Sequence, residues 1–303
     1  MSSPAVVARG LVKRFGERAA VDGLSFEVPS GAVTGFVGPN GSGKTTTMRM
    51  LLGLVRASAG TAEVLGRSID DPASYSRRVG SLIEGPAFYP YLSARHNLEL
   101  LCTLGELDRA QVPALLDRVG LAGRAGDRFS TFSLGMKQRL GIAAALLSAP
   151  EVLLLDEPVN GLDPGGIREI RELLRSLADE GKAVLLSSHL LGEVEQICDR
   201  LVMIDHGRLV FEGTMTDLLA RRRGVLMVAT EAPAQLVEVA TICADAGYAC
   251  DHKNGALHVD APASWAGELN RRAAAAGITL TELHYAAPSL EEAFLSLTEG
   301  GRS

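Results

Sequence analysis

The stretch Gly38-Pro39-Asn40-Gly41-Ser42-Gly43-Lys44-Thr45 decides the fold of this chain. It fits G-x-x-x-x-G-K-[ST], a loop whose successive backbone amides face a single anion. Gly41 and Gly43 let the backbone turn without a Cβ between those amides and the anion. Lys44 carries the charge to neutralise β- and γ-phosphate oxygens, and the Thr45 hydroxyl is placed to ligate Mg²⁺. The flanks supply the context that such a loop needs. Residues 19–28 and 32–37 are rich in β-formers and are separated by the turn Pro29-Ser30-Gly31. Beyond the loop, Met48, Leu51, Leu52 and Val55 recur at helical spacing. That helix starts near Lys44 and aims the positive end of its dipole at the same anion. An accidental glycine-rich turn is the competing reading, and a strand before with a helix after counts against it. The motif on its own says only that a nucleotide is bound.

A second landmark is Val152-Leu153-Leu154-Leu155-Asp156-Glu157-Pro158. A buried strand here ends in two carboxylates, at the strand end where ligands sit in open α/β sheets. Asp156 is the expected outer ligand of Mg²⁺, and Glu157 the expected base or polariser of an attacking water. Taken alone, two acids could simply end a strand; paired with the phosphate loop they read as a site.

Outward from these two points the chain alternates strands and helices. Short strands are expected between residues 6 and 37, and mostly helix from Ser93 to about Leu147. Ile170, Leu173, Leu174 and Leu177 mark an amphipathic helix, 183–187 the next buried strand, and 201–204 with 208–211 a hairpin around His206-Gly207. This predicts an α/β core with a largely parallel sheet. The texture changes near Arg221-Arg222-Arg223-Gly224, read as a solvated linker or helix end. Segments 225–230, 234–246, 256–261, 263–276 and 279–285 then suggest a small α/β domain. Ser289-Leu290-Glu291-Glu292 is a capping box opening a final helix with Leu290, Ala293, Phe294 and Leu297 on one apolar face.

Bulk composition removes several classes. The chain has 303 residues, 47% hydrophobic and 22% charged, with a formal net charge of −6. An acidic balance argues against a nucleic-acid partner. Cys102, Cys198, Cys243 and Cys250 form no Cys-x-x-Cys pair and suit small buried side chains in a reducing compartment. The start of the chain lacks a basic segment followed by an apolar core, so no secretory signal is expected. No stretch reaches the roughly 20 apolar residues of a membrane span, so a membrane role must come from another chain.

Between the two landmarks lies Phe132-Ser133-Leu134-Gly135-Met136-Lys137-Gln138-Arg139. Ser133 reads as an N-cap, with Leu140, Ala143, Ala144 and Leu147 as the helical face behind it, and a capped helix start is a second anion site. The segment resembles the signature motif of ABC ATPases, although Leu134 and Met136 depart from the usual Gly and Gln. The resemblance spans about residues 5–220. It implies a P-loop NTPase core with an N-terminal antiparallel β-subdomain and an inserted helical subdomain at about 85–150. Residues 1–220 would then be the nucleotide-binding domain and 221–303 a C-terminal accessory domain.

In that family two copies sandwich two ATP molecules head to tail. The resemblance implies that Gly38, Pro39, Asn40, Gly41, Ser42, Gly43, Lys44, Thr45 and Thr46 hold one triphosphate while Ser133 and Gly135 of the twin close over it. Asn160-Gly161-Leu162-Asp163 resembles the loop that follows the acidic strand, which brings Asp163 to the seam. His189 resembles the switch histidine at the γ-phosphate, where the bland alternative is a satisfied polar residue. Phe15 matches the aromatic that stacks on adenine, against the alternative of a strand core residue. Catalysis would rest on Glu157, His189 and Lys44. Where the family's glutamine is expected near Ser81-Leu82-Ile83-Glu84-Gly85-Pro86, this chain has Glu84, a carboxylate able to reach Mg²⁺ or the attacking water.

Ile83-Glu84-Gly85-Pro86-Ala87-Phe88-Tyr89, the signature segment and Leu290-Glu291-Glu292-Ala293-Phe294 resemble the drug- and antibiotic-resistance exporter ATPases paired with ABC-2-type permeases. The implied partners are a second copy and an integral membrane permease, with no nucleic acid, at the cytoplasmic face of the cell membrane. The alternatives are a soluble non-transport ABC ATPase and a nucleotide-gated scaffold. One phosphate loop and no heptad run disfavour the first, and Glu157 with His189 disfavours the second. A carboxylate at Glu84 adds negative charge beside phosphates. Glu84→Gln is therefore expected to change basal or permease-stimulated ATP hydrolysis, and unchanged rates in both assays would remove Glu84 from the site.

Overall fold

A computed structural model describes residues 4–85, 87–220, 224–253, 255–286 and 290–299. The charge run 221–223 and the Ser289 cap lie outside those residues. The chain divides into two compact units, Met1–Met215 and Thr216–Ser303, a division slightly ahead of the expected boundary at 220.

The first unit opens with β1 (Val6–Phe15) and β2 (Arg18–Val28), an antiparallel pair joined at Gly16-Glu17. Val21, Leu24, Phe26 and Val28 are buried, largely by the two-residue alternation of a strand with one covered face. After β3 (Ala32–Val37) and α1 (Lys44–Leu51) the chain adds β4 (Ala59–Val64) and β5 (Arg67–Ser68). The order β2-β1-β4-β5 forms an antiparallel sheet, the expected N-terminal β-subdomain.

The second sheet carries the site. β6 (Val79–Leu82) is followed by three helices, α2 (Ala94–Gly105), α3 (Val112–Arg118) and α4 (Leu134–Leu146), which form the inserted helical subdomain. Then come β7 (Val152–Asp156), α5 (Pro164–Asp179), β8 (Ala183–Ser188), α6 (Leu191–Ile197), β9 (Arg200–Asp205) and β10 (Arg208–Thr214). The order is β10-β9-β3-β8-β7-β6, parallel except for the β9–β10 hairpin. Every residue of β7 and β8 is buried, as in strands covered on both faces. On one face Val152, Leu154, Leu185 and Ile204 meet Met48 and Leu51 of α1. Phe26 and Phe36, with ring centroids 5.3 Å apart, join the two sheets. The α4 pattern predicted a single buried face, yet Leu140, Gly141, Ile142, Ala143, Ala145, Leu146 and Leu147 are all buried. The reason is that α4 is flanked by β6, α2 and α3 together.

Helix α7 (Met215–Ala220) carries the chain across the division. The second unit follows as β11 (Val225–Thr230), α8 (Leu236–Asp245), β12 (Cys250–Lys253), β13 (Ala256–Val259), α9 (Ala266–Ala275), β14 (Leu280–Ala286) and α10 (Leu290–Glu299). The antiparallel order β12-β13-β11-β14 makes it a split β-α-β arrangement, with Leu226, Val228, Val239, Leu257, Val259 and Leu269 in its core. Strand β12 escaped the sequence reading because Asp251, His252 and Lys253 are polar and exposed, with no alternation to see. In α10, Leu290 and Ala293 are buried while Phe294 and Leu297 are partly so.

Tyr75 is buried to 1% exposure and its hydroxyl donates to the Leu51 carbonyl at 2.9 Å, holding the end of α1. Burial, with Asp70 and Asp71 adding to it, pushes the phenol up to about 12, so it remains a donor at working pH. Tyr75→Phe leaves that carbonyl unpaired and is expected to destabilise the first unit by about 1–2 kcal/mol. Urea unfolding monitors it, and an unchanged midpoint would contradict the assignment.

Candidate active site

The phosphate loop runs from the end of β3 to the start of α1. Gly41 and Gly43 adopt left-handed φ values of 80° and 107°. A Cβ on Gly43 would stand 2.4 Å from the Ala20 carbonyl oxygen, and one on Gly38 2.2 Å from that of Ile204. The loop is thus wedged between the hairpin β9–β10 and strand β2, and only glycine fits. No acidic residue occupies the first turn of α1, so its positive end is unopposed.

Lys44 is 6% exposed and its Nζ donates to the carbonyls of Gly38 at 2.7 Å and Pro39 at 3.2 Å. It also lies 3.7 Å from Glu157 Oε1. Burial pushes the ammonium below the usual lysine range, while Glu157 and Asp156 oppose the shift. The Thr45 hydroxyl donates to Asp156 Oδ2 at 2.7 Å. Asp156 Oδ1 accepts from the Ser187 hydroxyl, whose oxygen in turn accepts the Glu157 N–H at 3.0 Å. Glu157 holds a left-handed φ of 50°, a conformation that costs a non-glycine residue about 1–2 kcal/mol. Its Oε2 lies 2.9 Å from His189 Nδ1.

Of these side chains Lys44, Thr45 and Glu157 border a cleft of about 430 Å³, whose lining also includes Phe15, Arg18, Asn40 and Thr46. Phe15 is 55% exposed, so it belongs to the cleft wall rather than to a strand core, and Lys13 Nζ sits 5.1 Å from its ring centre. Ser42 is buried, and its hydroxyl has no hydrogen-bond partner among the described residues. Thr45 and Asp156 offer hard oxygen donors side by side, the pair that suits Mg²⁺. No group of three or more His, Cys, Asp or Glu suited to a metal occurs among the described residues. An ion here would therefore draw its remaining ligands from phosphate and water, as Mg²⁺ commonly does.

Ser133, Gly135 and Asp163 occupy different ground. With Leu134, Arg139 and Leu162 they line a separate cavity of about 410 Å³. Ser133 Oγ accepts the Met136 N–H at 3.3 Å and caps α4, while Asp163 Oδ1 accepts the Gly166 N–H at 3.1 Å and caps α5. Glu84 lies in neither cavity. Its side chain, 66% exposed, forms an ion pair with Arg49 of α1, so it is not brought to Thr45 and Asp156. Arg18, Ser187 and the Arg49 partner were missed by sequence reading. A register argument could have found Ser187, since it pairs with Asp156 across β7–β8.

The family model described as "ABC transporter" matches residues 21–160. The chain is 39% identical to the bacitracin transport ATP-binding protein BcrA of Bacillus licheniformis, over 96% of both chains. It is 38% identical to the daunorubicin resistance ATP-binding protein DrrA3 of Streptomyces coeruleorubidus, over 100% of this chain and 98% of the relative. Among solved structures, an ATP-binding subunit of an ABC transporter superposes with a TM-score of 0.64 at 30% identity, over 72% of this chain and 92% of that one.

Gly43→Ala forces a Cβ against the Ala20 carbonyl and displaces the amides of the loop. ATP affinity is expected to fall at least ~10-fold by titration with a fluorescent nucleotide. Gly123→Ala, which meets nothing within 4 Å, serves as the tolerated control. Equal affinities in the two variants would contradict the role of the loop.

Proposed function

The chain belongs to the ATP-binding subunits of ABC transporters, and on that footing we propose that it powers export of a drug-like or antibiotic compound through a separate integral membrane permease. It binds and hydrolyses ATP. The cargo class follows the bacitracin and daunorubicin relatives, both aligned over nearly the whole chain, which also disfavours the soluble and scaffold alternatives. No described helix is long and apolar enough to cross a membrane, so the reading assigns the crossing to the permease and this chain to its cytoplasmic face.

The observation that carries the mechanism is the chain of contacts from Thr45 through Asp156 and Ser187 to Glu157 and His189, facing Lys44. The loop amides and Lys44 bind the β- and γ-phosphates, with Phe15 stacked on the adenine. Mg²⁺ held by Thr45 and Asp156 would neutralise charge on the phosphate oxygens. Glu157 takes a proton from the water that adds to the γ-phosphorus as the bond to ADP breaks, and His189 steadies the departing phosphate. Within one copy the loop cleft and the Ser133 cavity share no lining residue. That separation supports a head-to-tail pair in which Ser133 and Gly135 of one copy cover the nucleotide of the other. Closure by ATP and reopening after hydrolysis then drive the permease.

Glu157→Gln keeps the shape of the side chain and removes the proton acceptor. Turnover is expected to fall by at least ~10²-fold, with the variant eluting as an ATP-loaded pair in gel filtration. A variant that turns over normally and elutes as a single copy would contradict the mechanism.

A further inference from the structure

Among the described residues, the lining of the nucleotide cleft carries two cations, Lys44 and Arg18, and one carboxylate, Glu157. Lys44 is already engaged, by the Gly38 and Pro39 carbonyls and by Glu157 at 3.7 Å. The Arg18 guanidinium has no ion pair or hydrogen bond among the described residues. Elsewhere in the same unit Arg49, Arg78, Arg118 and Arg208 each hold a carboxylate. An unpaired arginine on open surface is ordinary. This one stands in a concave site that receives a polyanion.

The sheet fixes its place. Arg18 opens β2 and pairs directly with Phe15, the last residue of β1, across the turn Gly16-Glu17. Directly opposed residues of an antiparallel pair extend from the same face. Both side chains accordingly line the cleft, and Glu17 between them does not. From there the guanidinium reaches the phosphate loop: a Cβ built on Gly41 would stand 3.6 Å from Arg18 Nη2. Phe15 marks the base end of the cleft, and Lys44 with Glu157 the γ-phosphate end. Arg18, opposite the one and close over the loop that leads to the other, belongs to the middle of the phosphate chain. A guanidinium presents a planar fork of donors that matches phosphate oxygens.

We infer that Arg18 is a binding residue for the phosphates that are not transferred, donating from its guanidinium to the α- or β-phosphate of ATP and ADP alike. This rests on the reading of Phe15 and the glycine loop as the nucleotide site. The cross-strand pair Phe15–Arg18 then holds the base and the phosphate chain from one hairpin, opposite the loop amides.

Calorimetric titration of the full chain with Mg·ADP and with Mg·GDP tests it, together with steady-state hydrolysis of Mg·ATP. Arg18→Ala is expected to weaken ADP binding about tenfold, the equivalent of one charge-assisted hydrogen bond, and to raise KM for ATP by a similar factor. GDP binding should fall by the same factor, because the contact is to phosphate. Arg18→Lys keeps the charge without the fork and should lie between wild type and Ala. Four results would each overturn the inference. One is unchanged ADP affinity in Arg18→Ala. Another is a loss for ADP but not for GDP, which puts the guanidinium on the base. A fall in kcat with ADP affinity intact puts it on the transferred phosphate, and a Lys variant no better than Ala removes the role of charge. Lys44→Ala, run alongside, separates the two levels. If it binds ADP as the wild type does, the site reading itself fails. If it loses binding while Arg18→Ala is normal, only the role of Arg18 fails.

Discussion

The site depends on one carboxylate. Asp156, at the end of β7, is held by hydroxyls from two other elements, Thr45 at the start of α1 and Ser187 at the end of β8. Neither hydroxyl reaches it unless three parallel strands end at the same level. The ladder provides this: Asp156 pairs with Ser187 across β7–β8, and Val37 pairs with Ser188 across β3–β8. Register in turn is fixed by burial on both sides of the sheet, where Leu154, Leu185 and Ile204 meet the underside of α1. A slip of one residue would turn each side chain to the opposite face and scatter the site. Chemistry at the strand ends is thus a consequence of packing along the strands.

Much of this arrangement is legible in the sequence, and the limits have a common cause. The phosphate loop and the acidic strand end are local patterns, each carried by residues adjacent in the chain, and both occupy the expected places. Ser133 caps its helix as its residue type and position suggest. Contacts that join distant segments were not legible. Ser187 sits in an apolar strand and is marked only by its register opposite Asp156, and Arg18 enters the cleft from the first position of β2. Glu84 has the right position in the chain for the metal, but Arg49, one α1 turn beyond Thr45, engages it instead. The second unit was readable as an α/β domain except for β12, whose polar exposed residues leave no periodic trace.

Two features of the site are intelligible only as parts of a cycle. Glu157 is kept in a left-handed conformation beside Lys44 and His189, and in the proposed mechanism it must turn from these partners to act on water. The helix cap at Ser133 and the phosphate loop open on different cavities of the same copy. In the proposed head-to-tail pair, each of these surfaces would supply half of a composite site, and activity would be conditional on a second copy.

The most direct measurement is sedimentation of complementary variants with Mg·ATP present. Copies carrying Lys44→Ala and copies carrying Ser133→Arg should each remain single, because both composite sites of either pair are damaged. Mixed in equal amounts they should associate, since one site then combines an intact loop with an intact cap. A mixture that sediments as the sum of its separate components, or either variant pairing by itself, would contradict the shared-nucleotide account.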